Sequence, residues 1–395
     1  MNNRFHTEFC GITLENPCLL ASAPPTQSRE GIAKALQLGW AGAVTKTCAP
    51  DDLITADPAN RFAVYRSTEG KIAGLENIEG LTRKTLAYWE ATVCQLKQEF
   101  PAKAIIASIM ADPRREAWQE LARRMEAAGA DALELNLSCP HFRLADNMGA
   151  ALGKNEDTSA AITAWVKAAV KIPVIVKLTP NVSNIQTVAL AVEQAGADAL
   201  AAINTVQCLM GIDIETFEPQ PAVNGYSSFG GYSGSAIKPI GLRCVAQLAQ
   251  STKLPIHGIG GIGSWQDIIE YFAVGASAVQ ICTAVMFNGY GIIKPIISGL
   301  ETYLERKGLS KIGALTGAAI PRITSREQLD MHWNRHSTII APEKCIHCGK
   351  CIRACTECGQ SAIRFVNKIV TIDSNRCDGC SLCSHVCPQG VLALR

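Results

Sequence analysis

Near its C-terminus the chain carries the pattern C-x2-C-x2-C-x3-C twice. Cys345, Cys348, Cys351 and Cys355 recur 32 residues later as Cys377, Cys380, Cys383 and Cys387, and Pro388 follows the last. No other feature limits the fold as strongly, because thiols this close together either bind a soft metal or become oxidised. Three thiolates on one tight loop can wrap three irons of a cubane, and the fourth ligand must then come from elsewhere. Zinc would more often show two separated pairs or a histidine pair, and a third close cysteine is superfluous for a tetrahedral ion. Disulfides are the other alternative, and they belong to oxidising compartments. The chain has 17 cysteines, nine of them between Cys345 and Cys387. Such density in a reducing compartment points to metal or catalysis. Gly349 and Gly379 ease the turns that aim several donors at one place.

In two-cluster ferredoxins each run borrows its fourth ligand from the other. The sets read here are Cys345, Cys348, Cys351 and Cys387 for one [4Fe–4S] cluster, and Cys377, Cys380, Cys383 and Cys355 for the second. Cys358 reads as a spare thiol, and His347 and His385 as surface or neighbouring residues. Two low-potential clusters move single electrons. Their partner chemistry calls for a cofactor that links one-electron and two-electron steps, as a flavin does.

The rest of the chain has the composition of a large globular domain, 48% apolar and 18% charged. Its 37 basic and 35 acidic residues leave a formal charge of +2. That balance argues against a nucleic-acid binder and gives no electrostatic case for a membrane surface. The start, MNNRFHTEF, has no apolar signal core, and no apolar stretch approaches ~20 residues. The expected location is cytoplasmic. From about residue 16 to 300, eight short apolar runs alternate with amphipathic stretches. The runs are Pro17–Ala23, Ala43–Thr47, Ala104–Met110, Ala132–Ser138, Pro173–Leu178, Ala199–Asn204, Pro255–Gly260 and Ala278–Val285. Near-continuous apolarity suits strands buried on both faces. Helix-like segments cover Trp118–Ala128, Ser159–Val170 and Ile185–Ala195, and Gly129, Gly196 and Gly275 stand where helices should stop. Eight β/α units over this length predict a (β/α)8 TIM barrel rather than an open doubly wound sheet. The expected division is a barrel over 1–307, a connector over 308–340 that wraps back over it, and a ferredoxin-like domain over 341–395.

Polar and glycine residues cluster just after the apolar runs, which in a barrel is the face that carries active sites. Gly258-Ile259-Gly260-Gly261-Ile262 after the seventh run, with Cys282-Thr283 in the eighth, offers backbone N–H groups for a phosphate. Lys46 and Lys177 at strand ends cannot sit unpaired in an apolar barrel. A flavin ring and substrate oxygens would partner them; a salt bridge to a barrel carboxylate such as Glu134 is the alternative.

The phrases ELNLSCPH, VKLTPNV, INTV with LMG, GGYSGSAIKPI, GGI and QICTAV together resemble the dihydroorotate dehydrogenase superfamily of FMN barrels. LSCPH, LASAPPT, the ALxxGWxxAxTKT phrase and the double-cluster tail resemble the dihydropyrimidine dehydrogenase family over nearly the whole chain. The resemblance implies reversible reduction of the C5–C6 double bond of uracil or thymine. Cys139 would be the general acid/base at C5 while FMN N5 delivers hydride to C6. A thiol with pKa near ~8.5 suits that task at neutral pH; an inert buried cysteine is the alternative. The resemblance places Asn77, Glu79, Asn136, Asn204 and Thr205 at the pyrimidine, Ser138 and His141 on the loop beside the acid, and Ser22, Lys46, Lys177, Ser235, Gly260, Gly261, Cys282 and Thr283 at FMN. Cys282 can also be a packing thiol. Amides and a carboxylate suit a ring edge that alternates N–H donors and C=O acceptors. The chain departs from relatives at FRLADNMGAALGKNED after His141 and over Ala56–Lys71, both flanking the expected substrate mouth.

No G-x-G-x-x-G fingerprint opens a helix after a strand, apart from HGIGGIG late in the barrel. No second flavin domain fits the available length. The resemblance therefore implies a partner subunit that binds FAD and NAD(P)H and feeds electrons through the clusters, around a homodimeric core of a heterotetramer. Two alternatives stay open: an enzyme of the same fold acting on dihydroorotate or another cyclic substrate, and a non-enzymatic electron carrier. His141 after Cys-Pro, the fused clusters and the Asn77/Glu79 pair argue against orotate. A bare carrier would not need the barrel residues.

Overall fold

A computed structural model of the chain describes residues 4–54, 56–137, 153–331, 335–367 and 369–395. They form two compact units, Met1–Ile323 and Thr324–Arg395.

In the first unit eight parallel strands close a barrel in chain order. They are β1 (Cys18–Leu20), β2 (Gly42–Val44), β3 (Ala104–Ile109), β4 (Ala132–Asn136), β5 (Val174–Leu178), β6 (Ala199–Ala202), β7 (Ile256–Ile259) and β8 (Ala278–Ile281). The ring shuts where β8 pairs with β1, Val279 opposite Cys18 and Ile281 opposite Leu20. Every residue of β3, β4 and β5 is buried, as strands covered on both faces must be. Alternate side chains serve two cores. Leu19, Val44, Ile106, Ile175 and Ala201 belong to one packed cluster with Phe9 and Leu14. Their neighbours Leu20, Ala43, Ile105, Val176 and Leu200 pack in the other with the helices. Phe9 and Leu14 come from an antiparallel hairpin, Thr7–Phe9 with Ile12–Leu14. It packs among the first residues of β3, β4, β6 and β8 and so plugs the N-terminal end of the barrel.

The eight apolar runs coincide with the eight strands, with one correction. The run Ala278–Val285 stops being strand at Ile281, and Thr283–Asn288 is a short helix. The Cys282 backbone leaves the extended region and its carbonyl accepts from the Val285 N–H at 2.8 Å. The three helix segments read from periodicity appear as Arg115–Ala127, Glu156–Lys167 and Ile185–Gln194. Gly129, Gly196 and Gly275 follow helices with φ of 95°, 96° and 109°.

A four-stranded antiparallel sheet was not legible beforehand. Its order is Val206–Cys208, Gly230–Ser233, Ile72–Asn77 and Phe62–Arg66, so it joins the excursions after β2 and after β6. Buried Glu76 pins it, accepting from the Gly230 N–H at 2.9 Å and the Met210 N–H at 2.8 Å. Burial pushes the Glu76 carboxyl above its ordinary range, and those two donors pull the other way. Residues beyond 307 also pack in this unit: the N–H groups of Gly317 and Ala319 donate to Phe272 and Ala273 carbonyls at 2.9 and 2.8 Å.

The second unit contains two antiparallel pairs, Ser337–Ile339 with Leu392–Leu394 and Ile363–Val366 with Ile369–Ile372. Short helices span Lys350–Glu357 and Leu382–His385. Its small core is Cys351, Ile363, Val370, Cys383, Val391 and Leu392. Among the described residues, no helix is long and apolar enough to cross a membrane.

Candidate active site

A cavity of about 330 Å³ opens at the C-terminal ends of the barrel strands. Ser22, Lys46, Asn77, Glu79, Asn136, Lys177, Asn204, Thr205, Ser235, Gly260, Gly261, Cys282 and Thr283 all line it. Ser138, Cys139 and His141 lie outside the described residues.

The cavity floor is a chain of buried polar groups on four strands. Lys177 Nζ on β5 meets Glu134 Oε1 on β4 at 3.1 Å, with 6% and 0% side-chain exposure. Glu134 Oε2 accepts from Gln280 Nε2 on β8 at 2.7 Å, and the same nitrogen lies 3.0 Å from His257 Nδ1 on β7. The Gln280 amide spends both hydrogens, so Nδ1 of His257 accepts and the ring proton sits on Nε2. His257 stacks on Phe9 with ring centroids 3.5 Å apart. Burial, helped by the Lys177 ammonium, pushes His257 down to about 3. The imidazole is therefore neutral, and the floor carries one cation and one anion.

The mouth is organised by Glu79, on the segment leaving the strand Ile72–Asn77. Its Oε2 accepts from Lys46 Nζ at 3.2 Å and its Oε1 from Arg61 Nε at 2.8 Å. Asn136 Nδ2 donates to Thr47 Oγ1 at 2.9 Å; Thr47 also meets Ser108 Oγ at 3.0 Å and Ser22 Oγ at 3.3 Å. Asn77, the last residue of its strand, donates from Nδ2 to the Gly231 carbonyl of the adjoining strand at 3.1 Å. Asn204 Oδ1 accepts from the Thr205 N–H at 2.8 Å, and the Thr205 carbonyl from Asn181 Nδ2 at 3.0 Å. These contacts fix amides and a carboxylate around one rim.

Opposite them lies a loop of small residues. Gly261 has φ of +72°, and a Cβ there would stand 2.8 Å from the Lys238 backbone nitrogen. Lys238 opens the helix Lys238–Ser251, so the glycine loop abuts a helix N-terminus, a favourable place for phosphate. Tyr271 Oη donates to the Gly260 carbonyl at 2.6 Å. Asp267 accepts from the Gly263 and Ser264 N–H groups and pairs with Lys238 at 2.7 Å. Thr283 Oγ1 donates to Ser233 Oγ at 2.9 Å, and Ser235 Oγ to the Ala73 carbonyl at 3.0 Å. Burial pushes the Cys282 thiol up to about 11, against the pull of Lys177 and Lys46. It is a protonated wall group at neutral pH.

These residues fit FMN. The cavity joins a phosphate cradle to a floor that bears the Lys177 ammonium, and the buried Oε1 of Gln280, which has no hydrogen-bond partner among the described residues, belongs to a side chain of the cavity lining. Lys177 engages Glu134, the alternative considered for it, while Lys46 engages Glu79 rather than Glu134. An ammonium has three donors, so neither pairing excludes a flavin contact. Sequence reasoning missed Arg61, Thr47, His257 and Gln280. For the last two the available signal was a polar residue inside an apolar run.

In the second unit Cys345, Cys348, Cys351 and Cys387 line one apolar pocket with Phe365, Val370 and Val391. The Val391 N–H points at Cys387 Sγ, 3.3 Å away. Burial, and then the nearby Cys387 and Cys348 sulfurs, push the Cys351 thiol up. Ser337 joins two cysteines of the other set: its N–H donates to Cys377 Sγ at 3.5 Å and its hydroxyl lies 3.0 Å from Cys383 Sγ. The Ala362 N–H donates to Cys355 Sγ at 3.2 Å. Among the described residues no three His, Cys, Asp or Glu side chains converge on a single metal ion. The first set rings a pocket instead, and in a cubane each thiolate takes its own iron. Hydrogen bonds to the sulfurs are also one of the means by which proteins tune such clusters.

The family described as dihydroorotate dehydrogenase matches residues 4–304, and the 4Fe-4S dicluster domain matches residues 338–394. The chain is 37% identical to the NAD-dependent dihydropyrimidine dehydrogenase subunit PreA of Escherichia coli (strain K12), over 98% of this chain and 94% of that protein. It is 34% identical to the chloroplastic dihydropyrimidine dehydrogenase (NADP(+)) of Arabidopsis thaliana, over 81% and 78%. It is 39% identical to the catalytic subunit of dihydroorotate dehydrogenase B (NAD(+)) of Pyrococcus furiosus, over 79% and 97%. The closed barrel, the cavity at its C-terminal end and these likenesses agree: the chain belongs to the dihydroorotate dehydrogenase family, with a 4Fe-4S dicluster domain joined to its barrel.

Proposed function

We propose that this chain is the catalytic subunit of a dihydropyrimidine dehydrogenase, interconverting uracil or thymine and their 5,6-dihydro forms. The observation that carries this is the rim of Asn77, Glu79, Asn136, Asn204 and Thr205 around one cavity, in a chain that also holds a dicluster domain. Full-length likeness to PreA supports it.

FMN, held in the cavity, would supply the chemistry that links hydride transfer at the ring to the single electrons of the clusters. The chain's own residues do the rest. Amide groups of Asn77, Asn136 and Asn204, with Thr205, meet the ring's carbonyls and N–H groups, and Glu79 accepts from an N–H. Lys177, braced by Glu134, faces the flavin ring, with Ser22 and Lys46 beside it. Gly260, Gly261, Ser235, Cys282 and Thr283 enclose the ribityl phosphate end. Cys139 holds and delivers the proton at C5, with Ser138 and His141 beside it on the same loop. Cys345, Cys348, Cys351 and Cys387 hold one [4Fe–4S] cluster, and Cys377, Cys380, Cys383 and Cys355 the other.

The partner is a subunit that binds FAD and NAD(P)H, and the assembly has a homodimeric core in the cytoplasm. A fully active monodisperse monomer in light scattering would refute the dimer. A second reading takes a carboxylated substrate, favoured by the 39% identity to the Pyrococcus furiosus subunit. Anaerobic photoreduction followed by mixing with uracil, thymine and orotate separates the two. Flavin reoxidation by uracil or thymine is expected; reoxidation by orotate alone would overturn the proposal.

A further inference from the structure

The stretch before the strand Phe62–Arg66 is bolted to the cavity mouth by three bonds. Asp57 Oδ1 accepts from the Gly80 N–H at 2.7 Å, the Arg61 carbonyl accepts from the Ile78 N–H at 3.1 Å, and Arg61 Nε reaches Glu79 Oε1 at 2.8 Å. From the geometry we infer that Arg61 is a specificity-determining positioning residue. It holds the Glu79 carboxylate as a fixed acceptor that takes a neutral ring by its N–H and turns away a ring that presents a carboxylate there. This rests on the pyrimidine reading of the cavity.

Glu79 is 4% exposed and sits between two cations, Arg61 on one oxygen and Lys46 on the other. Each oxygen keeps a free lone pair, and an ionised carboxylate only accepts. A ring N–H completes that arrangement. A substrate carboxylate would instead set one hydrogen-bond acceptor against another and leave those lone pairs without a donor. Arg61 spends Nε on Glu79, and releasing that 2.8 Å charged hydrogen bond would leave a buried anion with Lys46 alone, which is costly. Arg61 cannot swing away as a unit, because its carbonyl is held by Ile78. Its guanidinium also lies over the Phe62 ring, 4.9 Å from the centroid, and Phe62 lines the cavity.

The test uses the FMN-loaded full chain with Arg61→Leu and Arg61→Lys. Uracil and orotate binding are read from perturbation of the flavin absorbance, and turnover is followed from dihydrouracil to a one-electron dye. Loss of one charged hydrogen bond predicts a rise of about 10–100-fold in uracil Kd and in KM for Arg61→Leu. kcat should stay within about threefold, FMN content should be unchanged, and Arg61→Lys should recover part of the affinity. Unchanged Kd and KM in Arg61→Leu, or a fall in kcat alone, would overturn the inference while leaving the proposed function standing. Selective loss of orotate binding would make Arg61 a carboxylate receptor and overturn it too. A wild-type protein that oxidises dihydroorotate but not dihydrouracil would bring down the proposed function itself.

Discussion

Lys177, Glu134, Gln280 and His257 form one buried chain beneath the cavity. Its acid sensitivity follows from His257. Below the ordinary imidazole pKa of about 6.5 an unfolded His257 takes up a proton that the folded ring refuses until about 3. In that window the unfolded state binds more protons, so stability falls by up to about 1.4 kcal/mol per pH unit; above it both states are neutral and the group contributes nothing. His257→Leu should be less stable at pH 7, since Gln280 loses an acceptor, yet show a shallower acid slope in urea midpoints. Equal slopes would place the acid lability elsewhere. The proposed acid is tested by Cys139→Ala, expected to bind uracil but turn over about 10²–10⁴-fold more slowly. Near-normal rates would shift the role to another group, such as His141. Strand-end addresses were legible for ten of the thirteen cavity residues, while Asn77, Glu79 and Ser235 came only with the family resemblance. Their partners were not: that Lys46 would meet Glu79 depends on an antiparallel excursion, and Arg61 sits on the same excursion, where no apolar period announces it.

At the scale of elements, barrel strands were easy to read because burial on both faces makes them apolar without interruption. The sheet over the mouth was opaque for the opposite reason. Its strands are short and partly exposed, and buried Glu76 looks like a surface residue on paper. The error at the eighth run has a different root: an apolar run continues unchanged from strand into the helix Thr283–Asn288. The glycine loop after β7 makes the sharpest prediction. In Gly261→Ala the new Cβ presses on the Lys238 backbone nitrogen at the start of a helix that cannot yield cheaply. FMN affinity should fall at least about tenfold, measured by fluorescence titration of the deflavinated protein, since the cradle loses its close approach to phosphate. Unaltered affinity would mean that the phosphate sits elsewhere.

For the whole molecule, the two units divide the chemistry. The barrel holds the cavity, and the cysteine-rich unit holds the ligands for electron supply. Cys380→Ser should therefore remove about half of the visible cluster absorbance, that of one of the two clusters, and slow dye- or partner-driven turnover, while photoreduced flavin still reacts with uracil at nearly the wild-type rate in stopped flow. Equal loss in both assays would show that the clusters serve more than electron delivery. This division was legible because the duplicated cysteine spacing is a local signal that owes nothing to tertiary context.

The pocket that gathers Cys345, Cys348 and Cys351 with Cys387 also imposes an order on biosynthesis. Cys387 is 42 positions downstream of Cys345, so at ribosomal speeds of about 5–20 residues per second the first three thiols wait about 2–8 s for their fourth companion. In the ligand sets proposed above, the other set is interleaved with it and needs Cys355 from the earlier run. Neither site can close before nearly the whole second run has been translated. Iron delivery to this segment is thus a late event, and a ribosome stalled between the two runs would leave two incomplete sites rather than one finished and one absent.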